Sequence, residues 1–230
     1  MNVQYYSGNP KFLVSVDCII FGFSAGELSL LLFKRNVEPA KGCWSLPGGF
    51  IKEKESGEEA AARVLHSLTG LSHLYMEQLM VFSNVNRDPG QRVLSIAYYA
   101  LVNVEDYNRE LVQEHNAHWR NMNDLPELIF DHSQMLNVAL ERLRHKASTE
   151  PVGFNLLPEQ FTVPQLQSLY EAIYGRMVDK RNFRKKIQQM NFLEKSDEKD
   201  KNSSKRGAYL YTFNKKLYEQ AIHQGFSFTL

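Results

Sequence analysis

The apolar positions of the first two thirds of the chain follow two different periods. Five segments are continuous or alternating apolar runs typical of strands: residues 12–23, 28–34, 74–84, 93–103 and 115–119. Residues 56–69 and 132–146 instead carry apolar side chains at helical spacing, and Ser56 and Glu59 form a capping-box pattern at the start of the first helix. Strands mixed with two helices predict an α+β sandwich of about 145 residues.

The last third of the chain has a different pattern. A polar, proline-containing segment, ASTEPVG, predicts a linker. Thr162 begins a capped helix, Asp179 begins a second helix predicted over residues 180–190, and a charged segment, EKSDEKDKNSSKRG, precedes an apolar strand, Ala208–Phe213. We expect the first part of that charged segment to form a solvated loop tip. The order helix, turn, helix, strand, charged hairpin, strand is typical of a winged helix-turn-helix.

Composition narrows the class of protein. The chain has 230 residues, of which 43% are apolar and 23% charged, as in ordinary globular proteins. No apolar stretch approaches 18 residues, and the first ten residues do not resemble a secretory signal, so we expect no membrane partner. Two cysteines, both expected in the core, exclude a disulfide scaffold and favour the cytoplasm. Residues 1–150 carry a net charge of −4 and residues 151–230 a net charge of +5, which hints at a polyanion partner for the second part.

The segment around the first helix resembles the Nudix superfamily signature, G-x5-E-x7-R-E-U-x-E-E-x-G-U, in which U is a bulky aliphatic residue. The residues that match in register are Gly49, Glu55, Arg63, Leu65, Gly70 and Leu71, and the preceding Trp44–Gly49 segment resembles the usual approach to the motif. The resemblance implies a Nudix α/β/α sandwich. Where the family has its other glutamates, this chain has Val64, Ser67 and Leu68.

Those substitutions predict a Nudix domain that is not an enzyme. In active members the glutamates hold Mg²⁺ against a diphosphate, and hard cations require oxygen ligands. Valine and leucine have none, so we expect no catalytic residue, no metal and no cofactor. The glutamates that remain, Glu55, Glu58 and Glu59, suit the positive end of the helix dipole. A relocated metal site on these three, and with it a Nudix pyrophosphatase, is the alternative.

A degenerate Nudix domain followed by a winged helix resembles the NrtR-type family of Nudix-related transcriptional regulators. The resemblance includes Asp17, Arg87–Ser95 and Asp131-His132 in the first domain, and Lys180–Ile187 and Arg206–Tyr211 in the second. It implies a homodimeric repressor in which residues 1–148 bind a small effector and residues 152–230 bind a double-stranded DNA operator. Because it lacks the acidic cluster, this chain is most similar to the arabinose-regulator branch of the family. That resemblance implies a sugar effector such as L-arabinose and a role in carbohydrate metabolism. ADP-ribose, tied to NAD metabolism, is the alternative effector.

The candidate effector-binding residues are Asp17, Lys34, Trp44, Glu53, Arg87 and Asp88. Asp17 lies in an apolar strand and therefore needs hydrogen-bond donors, which a backbone turn or sugar hydroxyls would supply equally well. Trp44 would provide either core packing or a platform for the apolar face of a sugar. Arg87 and Asp88 would form either a plain hairpin turn or a ligand gate.

The candidate DNA-binding residues are Lys180, Arg181, Asn182, Arg184 and Lys185 on the second helix, and Ser203, Ser204, Lys205 and Arg206 in the wing. Arginine pairs with guanine and asparagine with adenine, so Arg181 and Asn182 are assigned to bases. The wing residues suit phosphate or minor-groove contacts, and Tyr209 and Tyr211 are expected in the core. A solvated basic face, or a module that binds an acidic protein, is the alternative.

Overall fold

The computed structural model describes residues 8–72, 74–107, 112, 114–200 and 207–224. Its first domain contains a seven-stranded mixed sheet formed by β1 (Leu13–Ser24), β2 (Glu27–Lys34), β3 (Trp44–Ser45), β4 (Gly48–Phe50), β5 (Glu77–Phe82), β6 (Val93–Asn103) and β7 (Ala117–Asn121). The strand order is β3-β2-β1-β6-β5, with β4 paired to β1 and β7 paired to β2. β1 and β6 run parallel at the centre, where burial on both faces accounts for their nearly continuous apolar sequences.

Two helices cover the two faces of this sheet. Helix α1 (Gly57–Thr69) has the predicted capping box at Ser56 and ends at Gly70, whose φ of 75° is the left-handed conformation that favours glycine. Helix α2 (His132–Thr149) covers the opposite face and runs three residues beyond its predicted end. The extension follows from Ala147, which lies four residues after Leu143 and is fully buried.

The second domain contains β8 (Phe161–Thr162), α3 (Val163–Tyr174), α4 (Lys180–Gln188), β9 (Leu193–Asp200), β10 (Ala208–Phe213) and α5 (Lys215–His223). The predicted helix starts at Thr162 and Asp179 are confirmed, because both side chains accept a hydrogen bond from a backbone amide of the first turn. No helix in the described ranges is long and apolar enough to cross a membrane.

Two features of the second domain differ from the sequence prediction. The first part of the charged segment is strand β9 rather than a loop tip; it pairs with β10, and most of its side chains are exposed, so charged residues are tolerated there. Helix α5 was not predicted, although Asn214 caps it in the usual way.

The two domains share one hydrophobic core. Leu136, Leu143 and Ala147 of α2 belong to the same buried cluster as Leu166 and Leu169 of α3. The segment predicted as a linker is accordingly packed rather than free: its first three residues complete α2, and its last residue, Gly153, is buried. Helix α2 therefore joins the first domain to the helix-turn-helix.

The two cysteines have opposite environments. Cys18 is fully buried on the α1 side of β1, as expected. Cys43 is exposed, so its predicted place in the core is wrong. It is the last residue of the irregular segment between β2 and β3, most of whose residues are exposed.

Candidate effector cleft and DNA-binding surface

A cleft opens on the α2 side of the sheet near the start of β1. It is lined by Ser15, Asp17, Arg35, Ser45, Gly48, Gly49, Phe50, Arg87, Asp88, Val93, Phe130 and His132. Asp17 points into it because its neighbours Val16 and Cys18 face α1. Gly48 lies opposite Asp17 on β4, and a Cβ there would lie 2.1 Å from Asp17 Oδ1. Gly48, which belongs to the segment preceding the Nudix-like motif, thus leaves room for the Asp17 carboxylate.

Asp17 is buried and hydrogen-bonded. Ser95 Oγ donates to its Oδ2 at 2.5 Å, and Arg87 Nη2 donates to the same oxygen at 3.5 Å. Burial raises the pKa of Asp17 to about 6, although the Ser95 hydrogen bond and the Arg87 charge oppose the rise. The expectation that this carboxylate needs donors is confirmed, and they come from two side chains rather than from a backbone turn.

Arg87 is buried and connects the β5–β6 loop to the start of α2. Its Nε donates to Asp131 Oδ2 at 2.9 Å and its Nη2 donates to Asp131 Oδ1 at 2.8 Å, a bidentate pair. Because Asp131 immediately precedes α2, anything that displaces Arg87 changes the contacts at the beginning of that helix. Asp88 also lines the cleft, while its carboxylate accepts from the Gly90 amide.

His132, the first residue of α2, also lines the cleft. Its Nδ1 accepts a hydrogen bond from the Leu46 amide at 3.1 Å, so the proton is on Nε2, which lies 3.7 Å from Asp17 Oδ1. Burial lowers the pKa of His132 to about 4, so the ring is neutral at pH 7. The sequence predicted only a structural role for His132. It also missed Arg35 and Phe130, which carry no motif signal, and Ser95, which lies two residues before Ala97, the β6 neighbour of Asp17.

The other predicted effector residues lie elsewhere. Lys34 and Trp44 are neighbours across β2 and β3, and Lys34 Nζ lies 5.2 Å from the centre of the Trp44 ring. Arg120 and His118 of β7 also contact this ring. Glu53 is exposed in the turn after β4 and does not line the cleft. The structure therefore brings together Asp17, Arg87 and Asp88 in the cleft, and Lys34 and Trp44 beside it.

Two of the three glutamates that remain around the Nudix-like motif, Glu55 and Glu59, already have partners. Arg63 binds Glu55 through two nitrogens and holds its pKa down at about 2. Glu59 Oε2 accepts from the Ser56 amide at 2.7 Å, which is its capping role. Val64 is buried against Gly49, and Ser67 Oγ donates to the Val64 carbonyl. Among the described residues, no group of three His, Cys, Asp or Glu side chains is arranged to hold a metal.

Helix α4 presents a basic face to solvent. Phe183 and Ile187 are buried, and the other predicted residues, Lys180, Arg181, Asn182, Arg184 and Lys185, are all exposed. Within the described residues none of these cations forms an ion pair with a carboxylate. The prediction that they lie off the apolar stripe is confirmed, and their role in DNA binding stays a prediction. Ser203, Ser204, Lys205 and Arg206 lie outside the described residues.

The paired strands β9 and β10 carry two further cations that the sequence did not indicate. Lys195 Nζ and Lys199 Nζ lie 3.6 and 4.5 Å from the centre of the Tyr209 ring. Tyr209 is 40% exposed, so its predicted place in the core is wrong, whereas Tyr211 packs partly against the core. Because β9 is a strand, alternate lysines share the face of the ribbon that carries Tyr209.

Together these features define a class of protein: a Nudix-type ligand-binding domain fused to a winged helix with an exposed basic helix. Family models match both parts, the NUDIX domain over residues 11–139 and the NrtR DNA-binding winged helix domain over residues 153–213. The chain belongs to the NrtR-type family of Nudix-fused winged-helix regulators. The predicted fold class, an N-terminal Nudix sandwich with a C-terminal winged helix-turn-helix, is confirmed.

Three known proteins illustrate the similarity. The ADPR responsive transcriptional repressor NtrR of Acinetobacter baylyi is 32% identical over 94% of this chain and 88% of its own length. NrtR of Shewanella oneidensis in complex with a 27mer DNA is 31% identical, with a TM-score of 0.76 over 90% of this chain and 95% of that one. Its separate NUDIX domain complexed with ADP ribose is 33% identical, with a TM-score of 0.52 over 59% and 91%. The ADP-ribose pyrophosphatase of Methanocaldococcus jannaschii is 36% identical over 54% and 70%.

Proposed function

We propose that this chain is an ADP-ribose-responsive transcriptional repressor that binds a double-stranded operator as a homodimer. The similarity to the Acinetobacter repressor over nearly the whole chain carries the proposal. The exposed basic face of α4 supports the DNA-binding role. A dimer is proposed because a single small module gives limited affinity, and paired half-sites are the usual solution.

The sequence expectation of L-arabinose, and of the arabinose-regulator branch, finds no support among these relatives. The same cleft chemistry suits the alternative, ADP-ribose. The Asp17 carboxylate and the neighbouring Ser45 hydroxyl can bind ribose hydroxyls as well as those of a free pentose. We therefore replace carbohydrate metabolism by NAD metabolism as the process that this regulator senses.

We also propose that the Nudix domain does not hydrolyse its ligand. Val64 and Leu68 offer no lone pairs, while Glu55 and Glu59 are engaged by Arg63 and the helix N-terminus. The similarity to a pyrophosphatase favours the rival, an enzyme that uses Glu55, Glu58 and Glu59. Turnover of ADP-ribose that requires Mg²⁺ would establish the rival.

The route from effector to DNA begins at Arg87. A ligand that binds Asp17 competes with the guanidinium that now links Asp17 to Asp131, and Asp131 leads into α2. At its other end, α2 contacts the helix-turn-helix through Arg144, whose Nε donates to the Ile173 carbonyl at 3.1 Å. The effector acts only if it binds the DNA-competent and DNA-incompetent states with unequal affinity.

The test measures melting temperature and operator binding with ADP-ribose, NAD and L-arabinose, each with and without Mg²⁺. A ligand that binds only the folded state raises the melting temperature, by an amount that grows with its concentration. We expect ADP-ribose to raise it without Mg²⁺, to weaken operator binding and to remain intact in the mixture. A shift with L-arabinose alone would restore the sugar effector, and hydrolysis would restore the enzyme.

A further inference from the structure

Three basic side chains converge on Trp44 at the edge of the sheet where β2, β3 and β7 meet. Arg120 Cζ lies 4.5 Å and Lys34 Nζ 5.2 Å from the centre of its ring, and the His118 ring meets it edge-on at 5.4 Å. The pairing of the strands explains the convergence. Arg120 and His118 lie opposite Leu30 and Leu32 of β2, and these leucines and Lys34 occupy alternate positions on one face of the strand.

The positive charge of this Lys34–Trp44–His118–Arg120 cluster is not compensated. Within the described residues, none of its three basic side chains has an ion pair or hydrogen bond to a carboxylate. The pKa of His118 is lowered by burial and, in addition, by the charges of Arg120 and Lys34. The indole ring holds the two permanent cations by cation–π contacts without neutralising them. The arrangement therefore favours an anion.

The cluster adjoins the effector cleft. Trp44 and Ser45 are consecutive residues of β3, so their Cα atoms are about 3.8 Å apart. Ser45 lines the cleft, and its Oγ lies 3.5 Å from His132 Nδ1. A ligand group rich in hydroxyls would thus find partners in the cleft at Ser45, and a negatively charged group would find partners at Trp44, on the other side of the same short strand.

We propose that the Lys34–Trp44–His118–Arg120 cluster binds the diphosphate of the effector while the Asp17 cleft binds its ribose. This inference rests on the proposed function, because it assumes an effector that contains both groups. Chemically, the guanidinium and ammonium groups of the cluster would neutralise the phosphate charge that Mg²⁺ neutralises in active Nudix enzymes.

Tryptophan fluorescence tests this assignment directly. The chain has two tryptophans, so a Trp119→Phe variant leaves Trp44 as the sole reporter. In that background, inorganic pyrophosphate, ADP-ribose and adenosine are titrated without metal into the full chain and into K34Q and R120Q. The matched control is K41Q, which removes an exposed lysine from the loop between β2 and β3. R120K tests whether a cation restores binding, and circular dichroism melting checks folding.

We expect pyrophosphate and ADP-ribose to change Trp44 emission and to bind K34Q and R120Q about tenfold more weakly, with K41Q unaffected. R120K should recover part of the loss, and adenosine affinity should not change.

If ADP-ribose binds K34Q and R120Q as tightly as the parent, the cluster assignment is wrong and the proposed effector stands. If the parent binds pyrophosphate but not ADP-ribose, the anion site stands and the effector is wrong. Equal losses in operator binding without effector would assign the cluster to DNA phosphates and overturn the proposal.

Discussion

At the scale of single residues, Asp17 and His132 face each other across the cleft and titrate in opposite senses. The pKa of Asp17 is raised from 3.8 to about 6, so between these values the folded chain binds more protons than the unfolded chain, and stability falls as pH rises. The pKa of His132 is lowered from 6.5 to about 4, so the unfolded chain binds more protons there, and stability increases with pH. In the folded wild type the two effects largely cancel between pH 4 and 6.

Replacing Asp17 by asparagine should leave the pH dependence of stability that comes from His132 without its compensating partner. One pKa unit corresponds to about 1.4 kcal/mol, so the free energy of unfolding of D17N should rise by about 3 kcal/mol relative to wild type between pH 4 and pH 7. H132Q should show the opposite trend, a stability that falls relative to wild type over the same range. Urea unfolding of the three proteins at several pH values measures this. Parallel pH curves for D17N and wild type would mean that Asp17 does not titrate in this window.

Arg87 compensates the charge of the buried Asp17 and of the partly buried Asp131. Its removal in R87A would leave Asp131 and Asp17 without their cation, and breaking a buried pair in this way typically costs about 3 kcal/mol or more. R87K should recover only part of that stability, because one ammonium group cannot reproduce the bidentate contact with Asp131. Chemical denaturation at pH 7 compares the variants with R92A, which removes an arginine from the same loop. Equal losses for R87A and R92A would contradict a special role for Arg87.

The residues of the cleft were predictable only in part. Asp17 and Arg87 could be found because a carboxylate in an apolar strand and a motif-like loop are visible in the sequence. The pairing of Arg87 with Asp131 could not, because the two are 44 positions apart and meet only when the β5–β6 loop folds over the start of α2. Trp44 was predicted as core or as a sugar platform, and Lys34 only as a candidate effector-binding residue. Their place in a basic cluster could not be predicted, because Lys34 and Arg120 converge on the indole only in the folded sheet.

At the scale of elements, α2 connects the effector cleft to the DNA-binding domain. Its first residue is in the cleft, and Arg144 near its other end binds the last turn of α3. R144A should lower the free energy of unfolding by about 1 kcal/mol and reduce the effect of ADP-ribose on operator affinity, while ADP-ribose binding by the DNA-free protein changes little. The control is R142A, an exposed arginine of the same helix. An undiminished effector response in R144A would exclude this contact from the coupling.

Helix α4 should carry most of the operator affinity. R181A should bind the operator at least tenfold more weakly, because a bidentate contact between arginine and a base is worth about 1–3 kcal/mol. If Arg181 binds a base, its loss also relaxes the base preference at one position of the operator. If it binds phosphate, affinity falls equally for all operator variants, and the slope of log affinity against log salt concentration decreases by about one. Fluorescence anisotropy with operator variants at two salt concentrations separates these cases, with K54A as the control for charge. Unchanged affinity in R181A would exclude Arg181 from the interface.

Elements with local signals were predicted well. Ser56, Thr162 and Asp179 mark helix starts by the bonds that their side chains make within four residues, so the sequence alone suffices. Strand β9 has no such signal: it is an edge strand of a three-stranded sheet and most of its side chains are exposed, so its charged residues are tolerated only once it pairs with β10. The same argument explains why Tyr209 is a platform for Lys195 and Lys199 rather than a core residue.

At the scale of the whole molecule, one continuous hydrophobic core packs the two domains against each other. Phe154 and Leu156, directly after the connecting segment, are buried in the same cluster as the residues of α2 and α3. A change at the start of α2 would therefore reach the second domain through packed side chains, which deform little, rather than through a flexible linker. The sequence indicated two domains but not this shared core, because the apolar faces of α2 and α3 are each consistent with a core of their own.

The thermodynamic consequence is a reciprocity that the full chain must obey. If ADP-ribose lowers operator affinity by a given factor, saturating operator must lower ADP-ribose affinity by the same factor, because both measure one coupling free energy. We expect a factor of about 5–150, corresponding to about 1–3 kcal/mol. Calorimetric titration of ADP-ribose into the free protein and into the operator complex measures one side, and operator binding with and without ADP-ribose measures the other. In R144A both factors should fall together. If ADP-ribose lowers operator affinity while operator leaves ADP-ribose affinity unchanged, ADP-ribose does not act by reversible binding to this protein. That result would overturn the sensor assignment.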